Sequence, residues 1–176
     1  MFLVGDDKAS IDYDLGLLRE RTTSLDGRLD ALEQAIQRCP DPDAFGLSDS
    51  AEAVCGLGFA ACQQYRTATA SGMGVEKSKA LPLGPVHASG DTVVSIVNCA
   101  ANYWKHGDEW VLGKSEKQQR KTQDGLEALL VDFEDGYPRT VILARLVAPS
   151  ESWRLRFLLP LLAEWRDDVH AKFHSR

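Results

Sequence analysis

A chain of 176 residues, 44% hydrophobic and 26% charged, is long enough to bury a real core and fits one compact domain, 1–176, rather than linked domains. Its formal net charge of −6 and pI of about 5.2 exclude a protein that coats nucleic acid or an anionic membrane by bulk charge. No stretch approaches the roughly 20 apolar residues of a membrane span.

The N-terminal MFLVGDDKAS lacks the basic region and long apolar run of a signal peptide. The expectation is a cytoplasmic protein without a membrane partner. Cys39, Cys55, Cys62 and Cys99 form no C-x-x-C pair and no cluster with histidine, so no metal is expected and the thiols read as small buried hydrophobes.

In chain order, Leu15, Leu18, Thr22, Leu25, Leu29, Leu32 and Ile36 alternate spacings of three and four, which predicts one long amphipathic helix over Asp12 to Arg38. Asp12 and Asp14 suit its positive end, and Cys39-Pro40-Asp41-Pro42 stops it. The seam packs in the chain's own bundle or, alternatively, joins a homodimer through this first helix.

Asp49-x-x-Glu52 reads as a capping box opening a second helix that runs towards Thr69. Its small side chains, Ala51, Ala53, Gly56, Gly58, Ala60 and Ala61, allow a neighbouring helix to come close. Gly56-Leu57-Gly58-Phe59-Ala60-Ala61 matches the dinucleotide fingerprint G-x-G-x-x-A, but no strand precedes it, so no cofactor is expected. Residues 72–90 hold four glycines and two prolines and read as a long ordered loop or a lid. Lys77, Lys79 and His87 are its candidates for binding an anion as the loop folds over the next helix.

That third helix is predicted from a cap at Asp91 to Gly107. Val93, Ile96, Val97, Ala100, Tyr103 and Trp104 form its apolar face, while Ser95, Asn98, Asn102, Lys105 and His106 line another side. The second stripe is the candidate site. His106 exchanges protons near neutral pH, Asn102 lies one turn below it, and Asp108 and Glu109 follow as carboxylates able to fix the imidazole tautomer. One histidine with two adjacent acids forms no recognised metal spacing.

The box Asn102-Tyr103-Trp104-Lys105-His106-x-Asp108-Glu109-Trp110 resembles the N-Y-[FW]-K-H-x-x-E-W stretch of small uncharacterised bacterial helical proteins. More distantly, a polar residue followed by Lys-His near a helix end resembles the HEPN domains, helical bundles that are often dimeric and many of which are ribonucleases of toxin or defence systems. The catalytic HEPN pattern has arginine before histidine, separated from it by four to six residues, and Cys99, Ala100 and Ala101 occupy those positions. The resemblance therefore implies a nucleotide- or protein-binding relative first.

Beyond Trp110, Lys114 to Lys121 carries four basic residues without aromatic interleaving and reads as a solvated face. Leu126, Leu129, Leu130 and Phe133 predict a short helix ended by Gly136-Tyr137-Pro138. Thr140 to Val147 suits helix or strand, with Pro138 favouring helix. Trp153, Phe157, Leu158, Leu161, Leu162, Trp165 and Val169 form the last apolar face, which Pro160 should kink or divide. His170 and His174 lie four apart, but Ala171 replaces the glutamate of an H-E-x-x-H hydrolase.

The expectation is an all-α, single-domain bundle of five to seven helices. Its favoured function is to hold an anionic ligand, nucleotide or protein partner with Asn98, Asn102, Lys105, His106, Asp108 and Glu109. The alternative is a metal-independent ribonuclease, with RNA as substrate, in which His106 is general acid or base, Lys105 stabilises phosphate charge and Asn102 orients the substrate.

Overall fold

The long first helix, α1, spans Tyr13–Arg38 and is capped by Asp12, whose Oδ1 accepts the Leu15 backbone N–H at 2.9 Å. It stops where the chain turns extended at Cys39, ahead of Pro40. This computed structural model describes residues 2–4, 10–110, 122, 124–127, 129, 138–148 and 153–174. A two-stranded antiparallel ribbon, β1 (Phe2–Val4) with β2 (Ser10–Asp12), leads into α1, and an isolated antiparallel bridge pairs Val86 with Thr92; the sequence pattern anticipates neither.

α1 is followed by α2 (Leu47–Gly72), the short α3 (Lys77–Ala80), α4 (Val93–Trp110), α5 (Arg139–Val147) and α6 (Leu158–His174). Residues 124–127 are also helical, and the Leu155–Phe157 turn is 3₁₀. The molecule is an all-α bundle with α2 at its centre, flanked most extensively by α1 and α4. Thr140 to Val147 is helix, with Pro138 at its N-terminal boundary.

The seam of α1 is turned inwards: Leu18, Thr22, Leu29 and Leu32 are buried in the chain's own core, together with Phe59 of α2, Val97 of α4, Leu143 of α5 and Trp165 of α6. Each fully buried side chain of leucine or phenylalanine size stabilises the fold by roughly 1.5–3 kcal/mol. On the opposite side of α1, Tyr13 and Leu17 remain exposed.

Three local expectations are corrected. The Asp49-x-x-Glu52 pattern is not a capping box. α2 starts after Gly46, held at φ 64 with no side-chain cap, and Glu52 reaches instead to α5, where its Oε2 accepts the Thr140 N–H and hydroxyl, both at 2.8 Å. α4 is capped by Thr92 rather than Asp91, through Ser95 N–H to Thr92 Oγ1 at 3.2 Å, and it runs past Gly107 to Trp110. Pro160 neither kinks nor divides the last helix, because it falls in the first turn of α6, where a missing N–H costs nothing.

Another carboxylate acts at a distance. Asp26, buried on α1, accepts the Leu155 N–H at 2.7 Å and the Arg156 N–H at 3.2 Å, and so caps the turn that leads into α6.

Candidate functional site

α4 presents Asn98, Asn102 and Lys105 at helical spacing towards the middle of α2, where Gln63 lies buried. The Lys105 ammonium donates to Gln63 Oε1 at 2.6 Å. Gln63 Nε2 in turn donates to Asn98 Oδ1 at 3.0 Å and to Asn102 Oδ1 at 2.9 Å. A lysine only donates, so it fixes which end of the glutamine faces it, and the glutamine then fixes both asparagines. Both amide oxygens point inwards, and both Nδ2 groups are left without a protein partner among the described residues. Asn98 and Asn102 are therefore preset as donors.

One turn along α2, Arg66 reinforces this arrangement. Its Nη2 donates to Asn98 Oδ1 at 3.3 Å and to Thr67 Oγ1 at 3.2 Å. The residue is only 1% exposed, and its Nε and Nη1 have no hydrogen-bond partner among the described residues. Among the described residues no carboxylate pairs with it, and burial alone lowers its pKa. Lys77 is also pushed down, first by burial and then by the charges of Arg66 and Lys105. Lys77 thus stands in the field of two neighbouring cations.

Two cavities meet at Lys77. One, of about 360 Å³, has Ser95, Asn98, Asn102 and Asp91 on its wall. The other, of about 300 Å³, has Arg66, Thr67, Ser71 and Gly74. Glu76 also borders the smaller cavity, but Lys79 lies 3.3 Å from its carboxylate. Lys77 is held in position because the C-terminal end of its helix is pinned twice: Trp165 Nε1 donates to the Ala80 carbonyl at 2.9 Å, and the Thr92 hydroxyl to the Leu81 carbonyl at 2.7 Å. Residues 72–90 are thereby folded onto the body of the bundle, with Gly84 at φ 88 tight against Trp165.

The spacing between α2 and α4 depends on Gly56, where an added Cβ would overlap the Trp104 ring. Gly58 plays the same part against Leu155. The G-x-G-x-x-A match therefore lies within α2, and its glycines serve helix packing.

Of the sequence-predicted site residues, Asn98, Asn102 and Lys105 are brought together. His106 is exposed and lines neither cavity. Asp108 and Glu109 lie on α4, but their side chains fall outside the described residues, as does Lys114 to Lys121. Of the loop candidates, Lys77 reaches the cleft, Lys79 pairs with Glu76, and His87 Nδ1 lies 3.1 Å from the Ser89 hydroxyl. Gln63 and Arg66 were missed. Their only signal was a polar pair inside a helix otherwise rich in small residues.

Cys55 and Cys62 are free, buried thiols, and burial pushes Cys62 up to about 12, so neither is poised as a nucleophile. His170 and His174 stack with ring centroids 5.5 Å apart, and His174 Nε2 lies 3.0 Å from the Met73 carbonyl. Among the described residues, no group of three metal-binding side chains is found and no helix is long and apolar enough to cross a membrane. Comparison with protein-family models, curated proteins and solved structures finds no match.

Proposed function

We propose that this chain is a binding protein that holds a small anion in the cleft between α2, α3 and α4. Arg66 and Lys77 supply charge, the Nδ2 groups of Asn98 and Asn102 donate hydrogen bonds, and Lys105 holds the amide network in its donor-out state. The observation that carries this reading is the buried Arg66 guanidinium with two unpartnered nitrogens. Removing such a charge from water costs several kcal/mol, and an oxyanion is the partner that offsets it. A cytoplasmic location belongs to the same proposal and suits the free thiols.

Thermal unfolding in inorganic phosphate, against chloride at equal ionic strength, tests this. Phosphate at 100 times its Kd stabilises by roughly 2.7 kcal/mol, a Tm rise of about 5–10 °C for a chain of this size. The rise is expected to vanish in Arg66→Met. An equal rise in chloride, or one that survives in Arg66→Met, would overturn the proposal. RNA cleavage through His106 has no comparable support, and RNA incubated with the protein is expected to stay intact.

A further inference from the structure

The proposed anion site divides into two chambers of different chemistry, and the difference specifies the ligand further. The smaller cavity is lined by Arg66 and Lys77, with Thr67 and Ser71; its single carboxylate among the described residues, Glu76, is paired with Lys79. That chamber favours a compact group of high negative charge. The larger cavity shares Lys77 but differs elsewhere. Asn98 and Asn102 offer amide donors, Ser95 a hydroxyl and Asp91 a carboxylate acceptor, beside Leu81 and Cys99. A wall with both donors and a carboxylate suits hydroxyl groups, each of which donates and accepts, and opposes a second phosphate. No aromatic side chain is among the described residues lining either cavity, so a nucleobase finds no stacking platform.

We infer that the ligand is a phosphorylated sugar lying across Lys77, its phosphoryl group against Arg66 and Lys77 and its hydroxyls against Asn98, Asn102, Ser95 and Asp91. The inference rests on the anion-binding reading above and narrows it. Two chambers of about 360 and 300 Å³ are of the size that small-ligand sites have.

Calorimetric titration of the full chain with inorganic phosphate, glucose 6-phosphate, ribose 5-phosphate, AMP and glucose separates the possibilities. At least one sugar phosphate is expected to bind about tenfold or more tightly than inorganic phosphate, with glucose weak. Asp91→Ala is expected to bring the affinity for that sugar phosphate down towards that of inorganic phosphate. Asp91 is exposed, so this variant is not expected to disturb the core. Phosphate binding with no gain from either sugar would overturn this inference and leave the anion site standing, whereas no binding of any phosphate compound would remove both. AMP binding well above ribose 5-phosphate would show base recognition and overturn the sugar assignment.

Discussion

Tyr65 and Arg66 are neighbours on α2, yet they belong to two polar clusters of opposite character. On one side, the Tyr65 hydroxyl donates to Asp12 Oδ2 at 2.6 Å, and Arg166 of α6 donates to the same oxygen at 2.9 Å. Burial raises the Asp12 carboxyl, but these bonds and the Leu15 amide outweigh it and hold it below its ordinary 3.8. Arg166, 8% exposed, also pairs with Asp167. On the other side, Arg66 is buried more deeply and meets only neutral oxygens. The first arginine is neutralised by the protein and ties β2 and α1 to α2 and α6. The second is left with charge to spare, which is poor economy for a fold and useful for a ligand site.

The same substitution in both clusters tests that contrast at its strong end. Arg166→Met leaves the Asp12 carboxylate without its cation, with only the Tyr65 and Leu15 bonds to hold it, and is expected to cost about 3 kcal/mol in urea unfolding. The effect has a defined pH dependence. A folded carboxyl held below 3.8 contributes stability that is complete above that pH and is lost as pH falls through the folded value. Wild type and Arg166→Met should therefore converge as the pH drops below 3.8. A cost under 1 kcal/mol at neutral pH would show that Asp12 does not depend on Arg166.

Gly56→Ala sharpens the comparison from the other side. The new methyl group meets the Trp104 ring, a rigid obstacle, and the α2–α4 spacing must open. A loss of about 1–3 kcal/mol is expected. Because Gln63 reaches Asn98 and Asn102 across the same interface, the phosphate-induced Tm rise should shrink as well. If stability falls while the phosphate response stays whole, the donor network does not depend on this helix spacing.

These clusters also show which parts were legible before folding. α1 could be read because its apolar spacing, the acids at its start and the prolines beyond its end are local, and Asn98, Asn102 and Lys105 could be grouped because a helix repeats every 3.6 residues. Gln63 and Arg66 could not be joined to them, since their partners lie more than 30 residues away and no short motif encodes that contact. Glu52 misled for the same reason. Its spacing from Asp49 imitates a cap, whereas its real partner, Thr140, is 88 residues distant. The chemistry of His106 is legible in the sequence, but its exposure and its place outside both cavities are not.

Glu52 supplies the smallest expected effect and the opposite pH sign to Asp12. Burial is the dominant influence and raises its carboxyl above 4.5, against the lowering bonds from the Thr140 hydroxyl and amide. In the interval between 4.5 and the raised folded value, the native state holds a proton that the unfolded chain has released. Stability therefore falls as pH rises through that interval, and the cost persists above it. Glu52→Gln keeps an acceptor for Thr140 and removes the titration. The variant is expected to match wild type below pH 4.5 and to gain on it as pH increases, as measured by urea unfolding across pH 4 to 8. The reverse trend, with the variant losing ground at higher pH, would mean that the charged carboxylate is stabilised at the start of α5 in the way Asp12 is stabilised at the start of α1, and the contrast between protein-neutralised and strained polar groups would then have to exclude Glu52.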